Sequence, residues 1–276
     1  MSTKTAQSRI AGTLPEFLYT DNRVIFVESI IAVMVVWALV AHGLNMTETI
    51  ASPLIITEST HALLMSGDWV VHFTATFRRV MYGFILTTII GTILGIVMGM
   101  SDFWEFALQD YITIGLAMPS LFAAIFAAMW FGISDITPMV AGTIIAFPFL
   151  TQNVYEGVHN IDNRLLMMSS SFDVSRKRVI KRVVFQGVLP EWFAGARYSF
   201  AICWKITTLA ELVAASNGIG YMIELHLNAL SLAGVLTWTA LFTITILIVE
   251  YGILQQIEKR LFDWRQESGM SMMGAA

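Results

Sequence analysis

Apolar positions along the chain gather into long blocks separated by short polar breaks, and the blocks are long enough to cross a bilayer as helices. Windows of about 19 residues predict six spans, at residues 24–41, 80–100, 111–131, 136–155, 192–214 and 235–254. Each approaches or exceeds the roughly 20 mostly apolar residues that one crossing requires. Between the first two, Ser52, Pro53, Glu58, His61 and Asp68 interrupt the pattern, so residues 47–69 read as an external loop carrying an interfacial helix. The pattern predicts an all-α, polytopic helical bundle. It divides into a polar segment at 1–23, a first span and loop at 24–69, a main helical domain at 70–264 containing a polar loop at 156–190, and a tail at 265–276.

Composition sharpens this. Of 276 residues, 56% are hydrophobic and 13% are charged, against roughly 45–50% and about 25% in soluble domains, so a soluble globule is excluded. A net charge of −4 argues against a nucleic-acid partner. The single cysteine, Cys203, can form neither an intrachain disulfide nor a CxxC pair. His42, His61, His72, His159 and His226 are scattered, which leaves no metal-ligand or catalytic spacing. No cofactor is expected in this chain. Residues 1–22 are mixed in charge and resemble neither a cleavable signal nor a transit peptide, so the first span is expected to stay as an anchor.

Charge placement sets orientation. Six of the sixteen basic residues, Arg164, Arg176, Lys177, Arg178, Lys181 and Arg182, lie between spans four and five, and Lys259, Arg260 and Arg265 follow span six. The excess of basic residues on the cytoplasmic side places both regions, and both termini, inside. Arg78 and Arg79 run against that rule at the outer end of span two, where either snorkelling to lipid head groups or a longer external loop folded onto the membrane would accommodate them.

Gly91, Gly95 and Gly99 form a small-residue stripe suited to close helix packing. Pro119, Pro138 and Pro148 predict bends in spans three and four. Lys205 sits mid-span, at a depth where an unpaired charge is costly. It reads either as a counter-ion on a substrate path or as half of an ion pair with Glu250 or Glu28. Glu211 lies six residues on, about 240° around the helix after full turns are removed, so the two do not neutralise each other and Glu211 needs a partner elsewhere. A hydrogen-bonding structural role suits it better than substrate contact.

In the polar loop, Asp162 caps an uncharged helix over 163–172, in which Leu165, Leu166, Met167, Met168 and Phe172 alternate with Ser169, Ser170 and Ser171. Ser175 caps a second, basic helix over 176–186 with Val179, Ile180, Val183, Val184 and Phe185 on its apolar face. An amphipathic element resting on anionic lipid accounts for the second helix but not for the first.

This loop resembles the cytoplasmic signature of the membrane subunits of bacterial ATP-binding-cassette importers, the binding-protein-dependent permeases. Val188-Leu189-Pro190 matches its ending, and Phe172-Asp173-Val174-Ser175-Arg176 resembles Leu-Gly-Ala-Ser-Arg. Asp173 stands in place of a glycine, and Met167-Met168-Ser169 in place of Glu-Ala-Ala. The likeness extends from about Ser52 to Arg265. Phe73 to Val80 with Gly83, Pro119 with Trp130-Phe131-Gly132, Gly195-Ala196-Arg197, Trp204, Glu211-Leu212 and Gly218 to Ile223 resemble the nitrate, sulfonate, taurine and bicarbonate branch.

The resemblance implies a type I importer fold in the bacterial inner membrane, working by alternating access with a second permease copy, two cytoplasmic ATPase subunits and an external solute-binding protein. Lys205, Trp204, Glu211 and Pro119 are the implied substrate-path residues. Asn163, Leu165, Leu166, Met168, Ser169, Phe172, Asp173 and Arg176 are the implied contacts to the ATPase. The chain has no GxxxxGK[ST] pattern, so ATP and Mg belong on the partner. Three rivals make different demands. A secondary transporter needs more intramembrane ionisable residues or an inverted repeat. An intramembrane enzyme needs a base near Ser199 or Cys203. A permease of the same family for a neutral or cationic solute, such as a pyrimidine vitamin precursor, leaves Lys205 dispensable.

Overall fold

The computed structural model describes residues 22–43, 51–172, 174–257 and 260, and helices make up its regular structure, with no strand among the described residues. The expected terminal segments at 1–23 and 265–276 lie almost wholly outside them, as does Asp173. The helices are α1 (Asn22–Gly43), α2 (Pro53–Ser66), α3 (Trp69–Gly99), α4 (Asp102–Ala117), α5 (Ser120–Phe131), α6 (Ile136–His159) and α7 (Asn163–Ser171). A short α8 (Arg176–Val179) runs through a π-helical stretch (Ile180–Val184) into α9 (Phe185–Ala214). There follow α10 (Ile219–Asn228) and α11 (Leu232–Leu247), which continues into a second π-helical stretch (Ile248–Leu254).

Local chemistry sets several of these ends. Within the expected loop at 47–69 the chain forms α2: the Ser52 hydroxyl accepts from the Ile55 N–H at 3.4 Å, Pro53 occupies the first turn, and Gly67 closes the helix at φ +78. Asp162 caps α7 through the Arg164 N–H at 2.8 Å, and Ser231 caps α11 through Gly234. Within the apolar helices, threonines 74, 88, 113, 151, 208, 239 and 245 each donate to the carbonyl four residues back, which satisfies a hydroxyl where no water is at hand.

Two spans differ from the sequence expectation. The third is not one straight helix, because α4 and α5 meet at 99°. Pro119 has no N–H and forces Met118 into extended backbone (ψ 124), which ends α4. The basic helix and the fifth span are not separate either. Lys177–Ala214 forms one helical segment, paired at a 47° bend with Ile219–Asn228. Pro190 is carried inside α9. By length and composition, Trp69–Gly99 and Leu232–Ile257 qualify as spans singly, and each of the two bent pairs has the length and composition of a broken span or a re-entrant loop. Helix α6 reaches 24 residues, and α1 holds a shorter apolar stretch at Glu28–Ala41.

Helix α6 is the centre of the bundle, with α3 on one side and α9 on the other. Glycines set the first contact. A Cβ at Gly91 would stand 2.9 Å from Leu150 Cβ, one at Gly95 2.6 Å from Val154 Cβ, and one at Gly99 2.5 Å from Val158 Cβ. The stripe therefore serves packing within the chain, and its register makes α3 and α6 parallel. The second contact is a ladder of small polar side chains. Ser199, Cys203 and Thr207 point at the carbonyls of Ala146, Gly142 and Pro138 at 3.2, 3.6 and 3.4 Å, so α9 runs antiparallel to both. Spacing by four on each helix keeps every rung on one face.

Candidate functional site

At the end of the bundle opposite α7, four segments close on one buried cation. Arg79 of α3 is 2% exposed. Its Nη1 donates to Glu211 Oε1 at 2.7 Å and to the Asn217 carbonyl at 2.8 Å, and Nη2 donates to Asn217 Oδ1 at 2.5 Å. Nε reaches Asp135 Oδ1 at 2.9 Å, and Nη2 also pairs with that oxygen. Glu211, 1% exposed near the end of α9, further accepts from Thr76 Oγ1 at 2.7 Å and from the Gly220 N–H at 3.1 Å. Thr76 in turn accepts from the Ile219 N–H at 2.8 Å. Arg78 lies outside, joined to Asp135 at 2.5 Å with both side chains half exposed. The Arg79 hydrogen bond, reinforced by the charges of Arg79 and Arg78, holds the Asp135 carboxyl below the usual range despite the opposing effect of burial.

The loop between α9 and α10 must come very close to make these contacts. Gly218 sits at φ +117, and a Cβ there would lie 2.5 Å from the Glu211 carboxylate. At Gly220 a Cβ would lie 2.1 Å from the Thr208 carbonyl oxygen. Three segments that the sequence resemblance rests on, residues 73–80, Glu211-Leu212 and residues 218–223, are thus the pieces of one cluster. Arg79 does not snorkel to head groups as expected: α3 begins at Trp69, eleven residues before the expected span, so Arg79 faces the bundle. The expectation missed Asp135 and Asn217, whose pairing with Arg79 spans 56 and 138 residues of sequence. The available signal was the presence of Arg79 and Glu211 as ionisable residues in apolar surroundings.

The four substrate-path residues separate. Trp204 is 0% exposed, packed among Phe73, Phe77 and Phe200. With Glu211 it belongs to the chain's own packing rather than to an open face. Pro119 is exposed at the α4–α5 bend. Lys205 is exposed on α9, on an uncovered stripe with Tyr198 and Val213, and no ion pair among the described residues includes it. Its expected partner Glu250 instead takes Arg197, whose Nε donates to Glu250 Oε1 at 2.7 Å.

Of the implied ATPase contacts, Met168 and Phe172 are exposed beside Met167, and Ser169 is half-buried with its carbonyl accepting from the Val174 N–H at 3.0 Å. Asn163, Leu165, Leu166 and Arg176 lie on described helices, but their side chains fall outside the described residues, as does Asp173 altogether.

A helical bundle of apolar spans, broken at Pro119 and tied at one end by a buried ion cluster, is the architecture of a membrane protein. The chain belongs to the family described as binding-protein-dependent transport system inner membrane component, whose pattern matches residues 88–263. It is 27% identical over 196 residues to the taurine transport system permease protein of Escherichia coli (strain K12), covering 71% of each chain. It is 21% identical over 235 residues to the formylaminopyrimidine transport permease protein of Halalkalibacterium halodurans, covering 85% of this chain and 93% of that one. Among solved structures, the inward-facing MetNI methionine ABC transporter shares the fold, with a TM-score of 0.61 at 16% identity, over 74% of this chain and 98% of that chain.

Proposed function

We propose that this chain is the membrane-spanning subunit of an ATP-driven importer for a small anionic solute of the nitrate, sulfonate, taurine or bicarbonate kind. The observation that carries the importer reading is the family match over residues 88–263. The anionic part rests on Lys205, an exposed cation about two thirds of the way along α9. Charge at that depth is tolerated where it faces a water-filled path or a partner. Two copies that juxtapose their α9 stripes place both lysines beside one passage, and rocking of the two halves opens it to each side in turn. The basic loop faces the cytoplasm, with both termini on the same side, and the Arg79 cluster faces out, where an external binding protein delivers the solute.

Helix α7 couples the bundle to a separate ATPase, two per assembly, which holds the ATP and Mg. Its Met167 and Met168, with Phe172 just past its end, expose apolar surface at the end of the bundle, which suits a groove on a protein better than water. Replacing Leu166 and Phe172 with Asp releases the ATPase from the solubilised complex; retained binding with normal hydrolysis overturns that role. For the path, Lys205→Ala removes most anion uptake while Lys205→Arg keeps it, with assembly intact in both. Uptake that survives Lys205→Ala supports a second reading, a neutral or cationic metabolite, which the likeness to the formylaminopyrimidine permease favours.

A further inference from the structure

At the α7 end of the bundle a crevice of about 630 Å³ opens between the α3–α4 corner, the end of α6 and the helix that leads into α9. Its walls are apolar, with Ile96, Met100, Val158 and Ile161 facing Ile180 and Val184. The π-helical stretch Ile180–Val184 forms one wall; π-helical turns are rare and recur at functional sites. Lys181 lies between the lining residues Ile180 and Val184 in the sequence, and Lys177 lies three residues before Ile180, so both sit beside the crevice on the segment that forms its wall. Lys177, Arg178, Lys181 and Arg182 are exposed, and no ion pair among the described residues includes them. On the opposite wall stand the polar side chains Asp102 and His159. The run 176–182 outweighs that single acid by five basic residues to one.

We infer that this crevice is a binding site for one anionic phospholipid of the adjoining leaflet, its acyl chain in the apolar cavity and its phosphate against Lys177 and Lys181. An apolar crevice at the end of apolar spans that meets a bilayer surface is filled by hydrocarbon rather than water, and the charge beside it selects which head group sits above it. The inference does not depend on which solute is carried.

The test uses the full chain purified in detergent, with dioleoyl phosphatidylglycerol and dioleoyl phosphatidylcholine as probes. Native mass spectrometry is expected to find one retained phosphatidylglycerol per chain, and added phosphatidylglycerol to raise the unfolding temperature more than phosphatidylcholine does. The double variant Lys177→Gln/Lys181→Gln should weaken phosphatidylglycerol binding roughly thirtyfold, from two lysines at about 1 kcal/mol each. Val188→Phe, which fills the crevice from a different residue, should lower retention of both lipids while the helix content of the chain is unchanged. Equal retention of the two lipids by the wild type overturns the inference. So does a lysine variant that binds like the wild type, or a crevice shielded from a polar thiol probe at an introduced Val184→Cys only when an ATPase subunit is added.

Discussion

Replacing Arg79 with methionine removes the cation that faces Glu211 at 2.7 Å, in a place where the Glu211 side chain has no exposure to water. Breaking one side of such a buried pair costs about 3–5 kcal/mol, because the remaining charge is left desolvated or must take up a proton. Asp135 differs, since its side chain is 53% exposed and its removal leaves Arg79 still bonded to Glu211 and Asn217, so Asp135→Ala should cost about 1 kcal/mol. At roughly 2–4 °C per kcal/mol for a chain of this size, Arg79→Met lowers the unfolding temperature by on the order of 10 °C and Asp135→Ala by a few degrees. The double variant Arg79→Met/Glu211→Leu should recover part of the loss, because it removes both charges together. It still strands the Gly220 N–H, which now bonds Glu211 and whose isolation costs about 1–3 kcal/mol. Thermal unfolding of the purified chain in detergent, followed by tryptophan fluorescence, reads all three. Equal shifts for Arg79→Met and Asp135→Ala, or a double variant less stable than Arg79→Met alone, would refute the account of the cluster.

Gly95→Val should separate α3 from α6, since even a Cβ would lie 2.6 Å from Val154 Cβ and 2.7 Å from the Thr151 carbonyl oxygen; overpacking of this kind costs about 1–3 kcal/mol or more, and an unfolding temperature equal to the wild type's would contradict the parallel packing. The depressed Asp135 carboxyl gives a pH signature with a definite sign. A lowered pKa means that the charge stabilises fully above the unfolded value of about 3.9 and loses its effect as pH falls through the folded value. The stability difference between wild type and Asp135→Asn should stay flat from neutral pH to about 5 and shrink below about 4; a difference that grows on acidification would overturn the pairing.

Hydropathy alone determined that this is a helical membrane protein and located its apolar blocks, because burying about 20 residues in hydrocarbon leaves helix as the only local way to satisfy the backbone. The cap at Asp162 and the bend at Pro119 were also legible, since each acts within four residues of itself. The 99° turn at Pro119 was not, because a proline ends a helix without fixing where the next one goes. Nor did the chain order reveal that Lys177–Ala214 is one helical segment, since Pro190 reads as a boundary when its neighbours in space are unknown.

The role of the charges was decided only by tertiary structure. Lys205 and Glu211 lie six residues apart on one helix, yet one is exposed and the other is 1% exposed. What separates them is whether another helix supplies a guanidinium. Arg79 is 132 residues from Glu211 along the chain, and a favourable ion pair at 2.7 Å depends on distance in space, which hydrophobic periodicity does not encode. The motifs at residues 73–80, 211–212 and 218–223 could be recognised from sequence as separate signals. That they are parts of one buried cluster follows from the parallel course of α3 and α6 and the antiparallel return of α9, which the glycine stripe and the hydroxyl ladder enforce.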